Sequence, residues 1–417
     1  MTSTNYNIHT HKQSHRLSTI LSLWVYIYAF FYFIPLIIPS NSYLMYVVLL
    51  VMAILIVMNT MKVRISLLIF TGCYIITALF NISIVSYSYY VAVDAFSGLA
   101  LFLPALLVIS SDKFDLFDFS VTWSRLAIKA TIFSPIAIVL MQAKYIDYGV
   151  FNYLNLPNAM IFSYMAMISS NKKQTVTYYA LAIVNFLVIL LFGGRMAAFT
   201  AAFSIFMGYM LSGNIRLWKK ILMVILAISS IILLLIYIEE ILTMVQSLLD
   251  KYNLSSRSVA LLLEQLKTNE LYLSRRNIIY DEVIDYISSR SGLPGGFGVS
   301  LAISNGKFYH PHNLILQLSV MFGVVGTVVF LLLVICKLLR QKMLCRKEEY
   351  NFMILFLVDY ILISLSGGSI LTSFVSIIGL GMVFFYKTKK SNQTWGENLQ
   401  NEYSYNHIKI QKYINNI

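Results

Sequence analysis

Long apolar runs separated by short polar connections set the pattern of this chain from Leu17 almost to its C-terminus. A helical run needs roughly 20 apolar residues to cross a hydrocarbon core about 30 Å thick. In lipid, only a helix or a closed barrel keeps every backbone polar group paired. The pattern therefore predicts an all-α, polytopic transmembrane bundle of twelve spans, near residues 17–38, 43–60, 65–83, 89–110, 122–142, 156–170, 175–192, 196–213, 219–238, 313–336, 351–366 and 368–386. The first run, Leu17 to Ile38, is too long for the apolar core of a cleavable signal peptide and lacks a small-residue cleavage site, so it reads as the first span.

Basic residues mark alternate connections. One side carries Lys12 and Arg16, then Lys62 and Arg64, Lys113, Lys172 and Lys173, Arg216 with Lys219 and Lys220, the stretch from Lys337 to Lys347, and finally Lys387, Lys389 and Lys390. The short connections on the other side, around Ser40, Ser86, Asp147, Gly194 and Gly367, hold only Lys144 and Arg195. Cytoplasmic connections are the ones enriched in Lys and Arg, so the pattern puts both termini in the cytoplasm. The expected organisation is a cytoplasmic tail (1–16), nine spans (17–238), a large external loop (239–312), three spans (313–386) and a second cytoplasmic tail (387–417).

That external loop is far longer than the other connections, and structureless loops above about 15 residues are uncommon. Within it Arg276 to Ile287 has helical periodicity, with Ile279, Val283 and Ile287 on one side. The run Gly292-Leu293-Pro294-Gly295-Gly296-Phe297-Gly298 then forms a turn-rich stretch where backbone could approach a ligand closely.

Composition agrees with the pattern. The 417 residues are 59% hydrophobic and 12% charged, against about 45–50% and about 25% in soluble domains. A net charge of +13 would suggest nucleic acid if the cations shared a face with aromatic neighbours, but they sit between spans. Cys73, Cys336 and Cys345 fall in a span, near the end of a span and in a basic connection, so the sequence supports neither an external disulfide nor a Cys/His metal site. No internal repeat is visible, which weakens a transporter built from inverted repeats.

Few residues remain that could carry chemistry. On the expected topology His9, His11, His15 and His407 are cytoplasmic, leaving His310 and His312 at the external mouth of the tenth span. Each is open to two readings, as an interfacial loop residue or as a general base working near neutral pH. His310 precedes Pro311, which points it away from His312. Arg195 follows Gly193 and Gly194 in a tight turn; it either snorkels to the head groups or offers a fork of donors to phosphate, with the glycines letting that phosphate reach the backbone. Arg275 and Arg276 open the loop helix, as a solvated pair or an anion site. Asp94, Lys129 and Asp359 are intramembrane ionisable groups, costly unless paired, and a Lys–Asp pair between helices would account for two of them.

Three of these segments resemble the O-antigen ligase and polymerase superfamily of membrane glycosyltransferases. Gly193-Gly194-Arg195 before Met196-Ala197-Ala198 is similar to its Ser/Gly-x-Arg-Gly-Ala segment, with Met196 where glycine is common. Arg276-Asn277-Ile278-Ile279-Tyr280 resembles its Arg-x-x-x-Trp loop helix, with Tyr280 for Trp, and Pro294 to Val299 resembles the Pro-x-x-Gly-x-Gly turn that follows, with altered glycine spacing. His312-Asn313-Leu314-Ile315-Leu316-Gln317 with Gly323 and Gly326 resembles its His-Asn-x-x-Leu-Gln run entering a span. The resemblance covers roughly residues 185–335.

The resemblance implies a donor glycan carried on undecaprenyl diphosphate in a bacterial cytoplasmic (inner) membrane. Arg195 and Arg276 would neutralise the diphosphate, and His312 would serve as base or acceptor-positioning group, with Arg275, His310, Asn313 and Asp94 as secondary candidates. Neither a metal nor another cofactor is implied, which agrees with the lack of an external Asp-x-Asp motif. The implied partners are the lipid-linked oligosaccharide, membrane lipid, a chain-length regulator and a flippase; nucleic acid is not among them. A polymerase of O-antigen or capsule repeat units is favoured because a basic chain rich in Ile, Tyr and Asn resembles the products of strain-variable surface-polysaccharide clusters. A ligase transferring the chain to lipid A-core in lipopolysaccharide assembly, and a transporter of lipid-linked glycan, are the alternatives.

Overall fold

The computed structural model describes residues 2–27, 29, 30, 33, 36, 64–213, 215–268, 276–308, 310–365 and 374–387. The expected second span (43–60) and Arg275 lie outside the described residues. Among the described residues all regular structure is helical: α1 (Thr2–Val25), α2 (Ile65–Ile84), α3 (Ser88–Ser110), α4 (Leu116–Gln142), α5 (Gly149–Ile168), α6 (Lys172–Phe192), α7 (Arg195–Leu211), α8 (Leu217–Ile236), α9 (Ile238–Lys251), α10 (Arg257–Thr268), α11 (Arg276–Ser289), α12 (Val299–Ile303), α13 (Leu314–Leu344), α14 (Lys347–Ser364) and α15 (Phe374–Phe385). Six of them, α2, α3, α4, α6, α8 and α13, are long and apolar enough to cross a membrane. The protein is a polytopic helical membrane protein.

The helices are punctuated by the residue types that cap helices. Asp115 accepts from the amides of Phe117 and Asp118 at the start of α4, Asn171 from that of Lys173 at α6, and Asn313 from those of Ile315 and Leu316 at α13. The centre of the bundle is α5, buried on nearly every face and packed against α4, α6 and α7. Its polar residues meet polar partners. Asn158 accepts from the Tyr26 hydroxyl and donates to Thr131 and Asn185 at 3.2 and 3.0 Å, and Trp123 donates to Tyr26 at 3.3 Å. Side chains hydrogen-bonded between helices in this way are worth about 0.6 to 2 kcal/mol each in a bilayer. At the other extreme α8 buries no side chain, and residues such as Leu226 and Ile232 face outward, as a lipid-facing helix must.

The two ends of the bundle differ. At one end, Arg64 binds Asp112 at 3.0 Å and the Phe385 carbonyl at 2.9 Å, Lys387 reaches Asp112 at 3.5 Å, Ser14 donates to Asp118, Tyr164 donates to the Glu348 carbonyl and Ser212 to that of Met167. Arg64 and Lys387, from two of the basic connections, thus meet at Asp112. The opposite end is covered by the loop helices α9 to α12.

The expected helix over 276–287 is α11, which turns Val283 inward with Ile279 and Ile287 beside it. The turn after it does something the sequence did not indicate. Helix α13 breaks at Gly323 (φ 73°, ψ 168°), and the turn fills the gap. Gly295 and Gly296 donate their amides to the Val320 and Met321 carbonyls at 2.8 and 2.9 Å, while the Val324 amide donates to Gly292 at 3.0 Å. Phe297, Val299 and Leu301 are buried in consequence. The segment re-enters the bundle, where irregular backbone is tolerated only when protein pairs it.

The expected Lys–Asp pair is absent among the described residues. Asp94 accepts the Gly298 amide at 2.9 Å, Asp359 accepts from Ser204, and Lys129 faces outward. Each carboxylate has a local donor on a neighbouring segment, which removes the need for a lysine.

Candidate functional site

The loop end holds two groups of the residues singled out by sequence. The first surrounds Arg195, the opening residue of α7. Gly193 is buried there for want of space: a Cβ would meet the Ile189 carbonyl at 2.8 Å and Asn152 Oδ1 at 2.9 Å. Asn152 also accepts the Gly194 amide at 2.8 Å, and Ser258 donates to the Gly193 carbonyl at 2.6 Å. The turn's amides are therefore taken by Asn152 and, within the helix, by the Ile189 carbonyl. The glycines thus bring protein against the backbone, and Arg195 supplies the turn's positive charge.

Helix α10 is stitched over this turn. Ser256 donates to the Leu191 carbonyl, Ser255 exchanges hydrogen bonds with Gln142, and the Arg257 guanidinium lies 4.6 Å from the centre of the Tyr148 ring. These ties carry Gln265 to Arg195, whose guanidinium donates to Gln265 Oε1 at 2.8 Å. Arg195 itself is exposed, so its remaining donors are open to solvent.

The second group lies at the mouth of α13. Arg276 opens α11, is half-buried, and makes no hydrogen bond or ion pair with any described residue. One turn on, the Tyr280 hydroxyl donates to the His312 carbonyl at 3.3 Å. His312 has φ 54°, a left-handed conformation uncommon outside glycine. That backbone turn brings its ring edge-on to His310, with ring centres 4.5 Å apart. His310 does not point elsewhere, as Pro311 suggested: the two imidazoles form one half-buried pair. Asn313 is engaged as the cap of α13, and Asp94 as the acceptor for Gly298, so both act on backbone.

Sequence reasoning thus named Arg195, Arg276, His310 and His312 but missed Asn152, Gln265 and Ser258, which position the arginine's turn and its cover. Asn152 could have been noticed as a polar residue just ahead of an apolar run; Gln265 carries no such signal, because only the folding of α10 over the turn gives it a partner. Arg195 and Arg276 each reach the loop end at the start of a different helix, α7 and α11. Compared with known proteins, the chain matches no family model and no curated sequence.

Proposed function

We propose that the protein is a metal-independent glycosyltransferase of surface-polysaccharide assembly, a polymerase working at the external face of a bacterial cytoplasmic membrane. In this reading there are twelve spans, the basic end is cytoplasmic and the loop end external. The observation that carries it is that Arg195, Arg276 and His312, from three distant segments with the motifs quoted above, all belong to the loop end, with Arg195 held by α10 and His312 by α11.

The reaction follows from those residue types. An acceptor hydroxyl of a lipid-linked repeat unit attacks the anomeric carbon of the donor glycan and passes its proton to the His312 imidazole. The bond from that carbon to the diphosphate oxygen breaks, and undecaprenyl diphosphate leaves with the electron pair. Fixed guanidinium groups at Arg195 and Arg276 stabilise the charge that develops there. The ligase alternative uses the same steps with a lipid A-core acceptor. The transporter reading gains one specific support, the break of α13 at Gly323, since broken helices line transporter sites; against it, the loop already pairs the freed backbone groups.

Deleting the gene separates the three. A polymerase deletion leaves surface glycan of single repeat units; a ligase deletion leaves long chains on undecaprenyl diphosphate and none on lipid A-core. A transporter deletion traps single units on the cytoplasmic leaflet. An unchanged ladder of surface glycan lengths in the deletion strain sinks all three.

A further inference from the structure

A groove of about 410 Å³ opens between α9 and α10, lined by Gln246, Ala260, Leu263, Glu264, Lys267 and Thr268. Its size falls within the range of small-molecule sites, roughly 300–1,000 Å³. Five of its six residues recur at helical spacing along one face of α10. Gln246 comes from α9; its amide nitrogen donates to Asp250 at 2.8 Å, while its Oε1 is buried without a partner. A buried acceptor left open is unfavourable until a donor fills it.

The lining chooses among ligand classes. Gln246 Oε1 and Glu264 accept, Lys267 donates, and Thr268, whose hydroxyl donates to the Glu264 carbonyl at 3.0 Å, can accept, whereas Leu263 and Ala260 give an apolar floor. Neighbouring opposite charges disfavour a polyanion and an apolar chain alike. They suit a neutral polyol, whose hydroxyls both give and take hydrogen bonds and whose ring carries an apolar C–H face.

The groove's height is set by α9. That helix follows the outward-facing α8 after Tyr237 alone, and its Ile241, Met244 and Leu248 point outward with 43%, 65% and 46% exposure. At about 100° per residue, Gln246 lies on nearly the opposite side from Met244 and Leu248. An amphipathic helix that follows a span can rest its apolar stripe on the head groups, and in that placement the groove faces away from the lipid. On the next face of α10, Gln265 holds Arg195.

We propose that this groove is a glycan subsite, holding the sugars that a lipid diphosphate carries just above the membrane while the diphosphate lies toward Arg195. The inference rests on the glycosyltransferase reading and extends it to residues outside the three motifs.

The full-length protein in lipid nanodiscs tests it, with repeat-unit oligosaccharide released by mild acid from the host's own surface glycan as probe and saturation-transfer NMR as readout. Glu264→Ala with Lys267→Ala removes the polar lining. Ala260→Trp blocks the groove at an exposed position, so the helix core is untouched. Both variants should bind the probe at least about ten-fold more weakly, the effect of losing one charged hydrogen bond, and should shorten the glycan ladder in cells. Wild-type protein that fails to bind the probe, or variants that bind it as wild type does, overturns the subsite; if Arg195→Ala still abolishes the ladder, the enzyme reading stands without it. A full ladder in the deletion strain removes both.

Discussion

The Gly295 amide donates to the Val320 carbonyl, the acceptor that the Val324 amide would occupy in an unbroken helix, while Val324 turns to Gly292. The loop thus takes over both halves of one missing helical hydrogen bond, and the break at Gly323 allows the exchange. Only glycine adopts its φ and ψ without a strain of order 1–3 kcal/mol, and a Cβ there would meet the Gly292 carbonyl at 2.7 Å. Gly323→Ala should therefore lower stability by at least that amount. Gly72, inside α2 with nothing within 4 Å of a Cβ, is the contrast: alanine there should be neutral or gain about 0.5–1 kcal/mol. Melting temperatures of the detergent-purified variants check both, and a Gly323→Ala protein as stable as Gly72→Ala would contradict the re-entrant turn.

Asp94 supports the same turn from another helix by accepting the Gly298 amide. Asparagine keeps an oxygen in that place; leucine leaves a buried amide without its acceptor, at about 1–3 kcal/mol. The expected order of stability is wild type close to Asp94→Asn, with Asp94→Leu clearly below. Equal melting of the Asn and Leu variants would mean that the carboxylate serves something other than Gly298.

Hydropathy made the helices legible: helices lie on the expected spans where those residues are described, although six of them are long and apolar enough to cross a membrane and α1 begins at Thr2, inside the expected tail. Boundaries were less legible where polar residues are buried. Helix α5 begins at Gly149, not near residue 156, because Asn152 and Asn155 lower the hydropathy while being paired with Gly194 and Ser134. The site was half legible. A lone arginine or histidine on the basic-poor side stands out in a sequence, but Gln265 above Arg195 and the break at Gly323 depend on contacts between segments far apart in the chain. The glycines of 292–298 misled for the same reason: their small size serves a close approach of protein, which sequence cannot tell from a close approach of ligand.

The basic end should loosen in acid. Burial alone would raise the Asp112 carboxyl, but the hydrogen bond and charge of Arg64, with the charge of Lys387, outweigh it and hold the group below its usual range. A lowered value in the folded state gives stability that is present above the ordinary carboxylate value of about 3.9 and lost as pH falls through the folded one. Asp112 is 61% exposed, so solvent screening keeps the effect small. The stability difference between wild type and Asp112→Asn, followed by melting from pH 7 to pH 3, should be constant down to about pH 5 and then shrink. A difference that persists undiminished at pH 3 would remove the ion pairs as its cause.

The histidine pair carries the last prediction. His312 precedes the capped start of α13 and has its carbonyl held by Tyr280, so its ring sits on a fixed backbone, and the His310 ring meets it edge-on. If His312 takes the acceptor's proton, His312→Ala should lower transfer by the roughly 10²- to 10⁴-fold typical of a lost general base. His310→Ala, which removes a neighbour, should cost far less. Tyr280→Phe deletes one weak hydrogen bond to the His312 backbone and should fall between wild type and His312→Ala. Arg195→Lys should also impair transfer, because an ammonium keeps the charge but loses the two-pronged contact with phosphate. The readout is the ladder of surface glycan lengths in a deletion strain carrying each variant at matched protein level in the membrane. A full ladder from His312→Ala with none from His310→Ala exchanges their roles; full ladders from both take histidine out of the reaction and leave the arginines to act on the diphosphate alone.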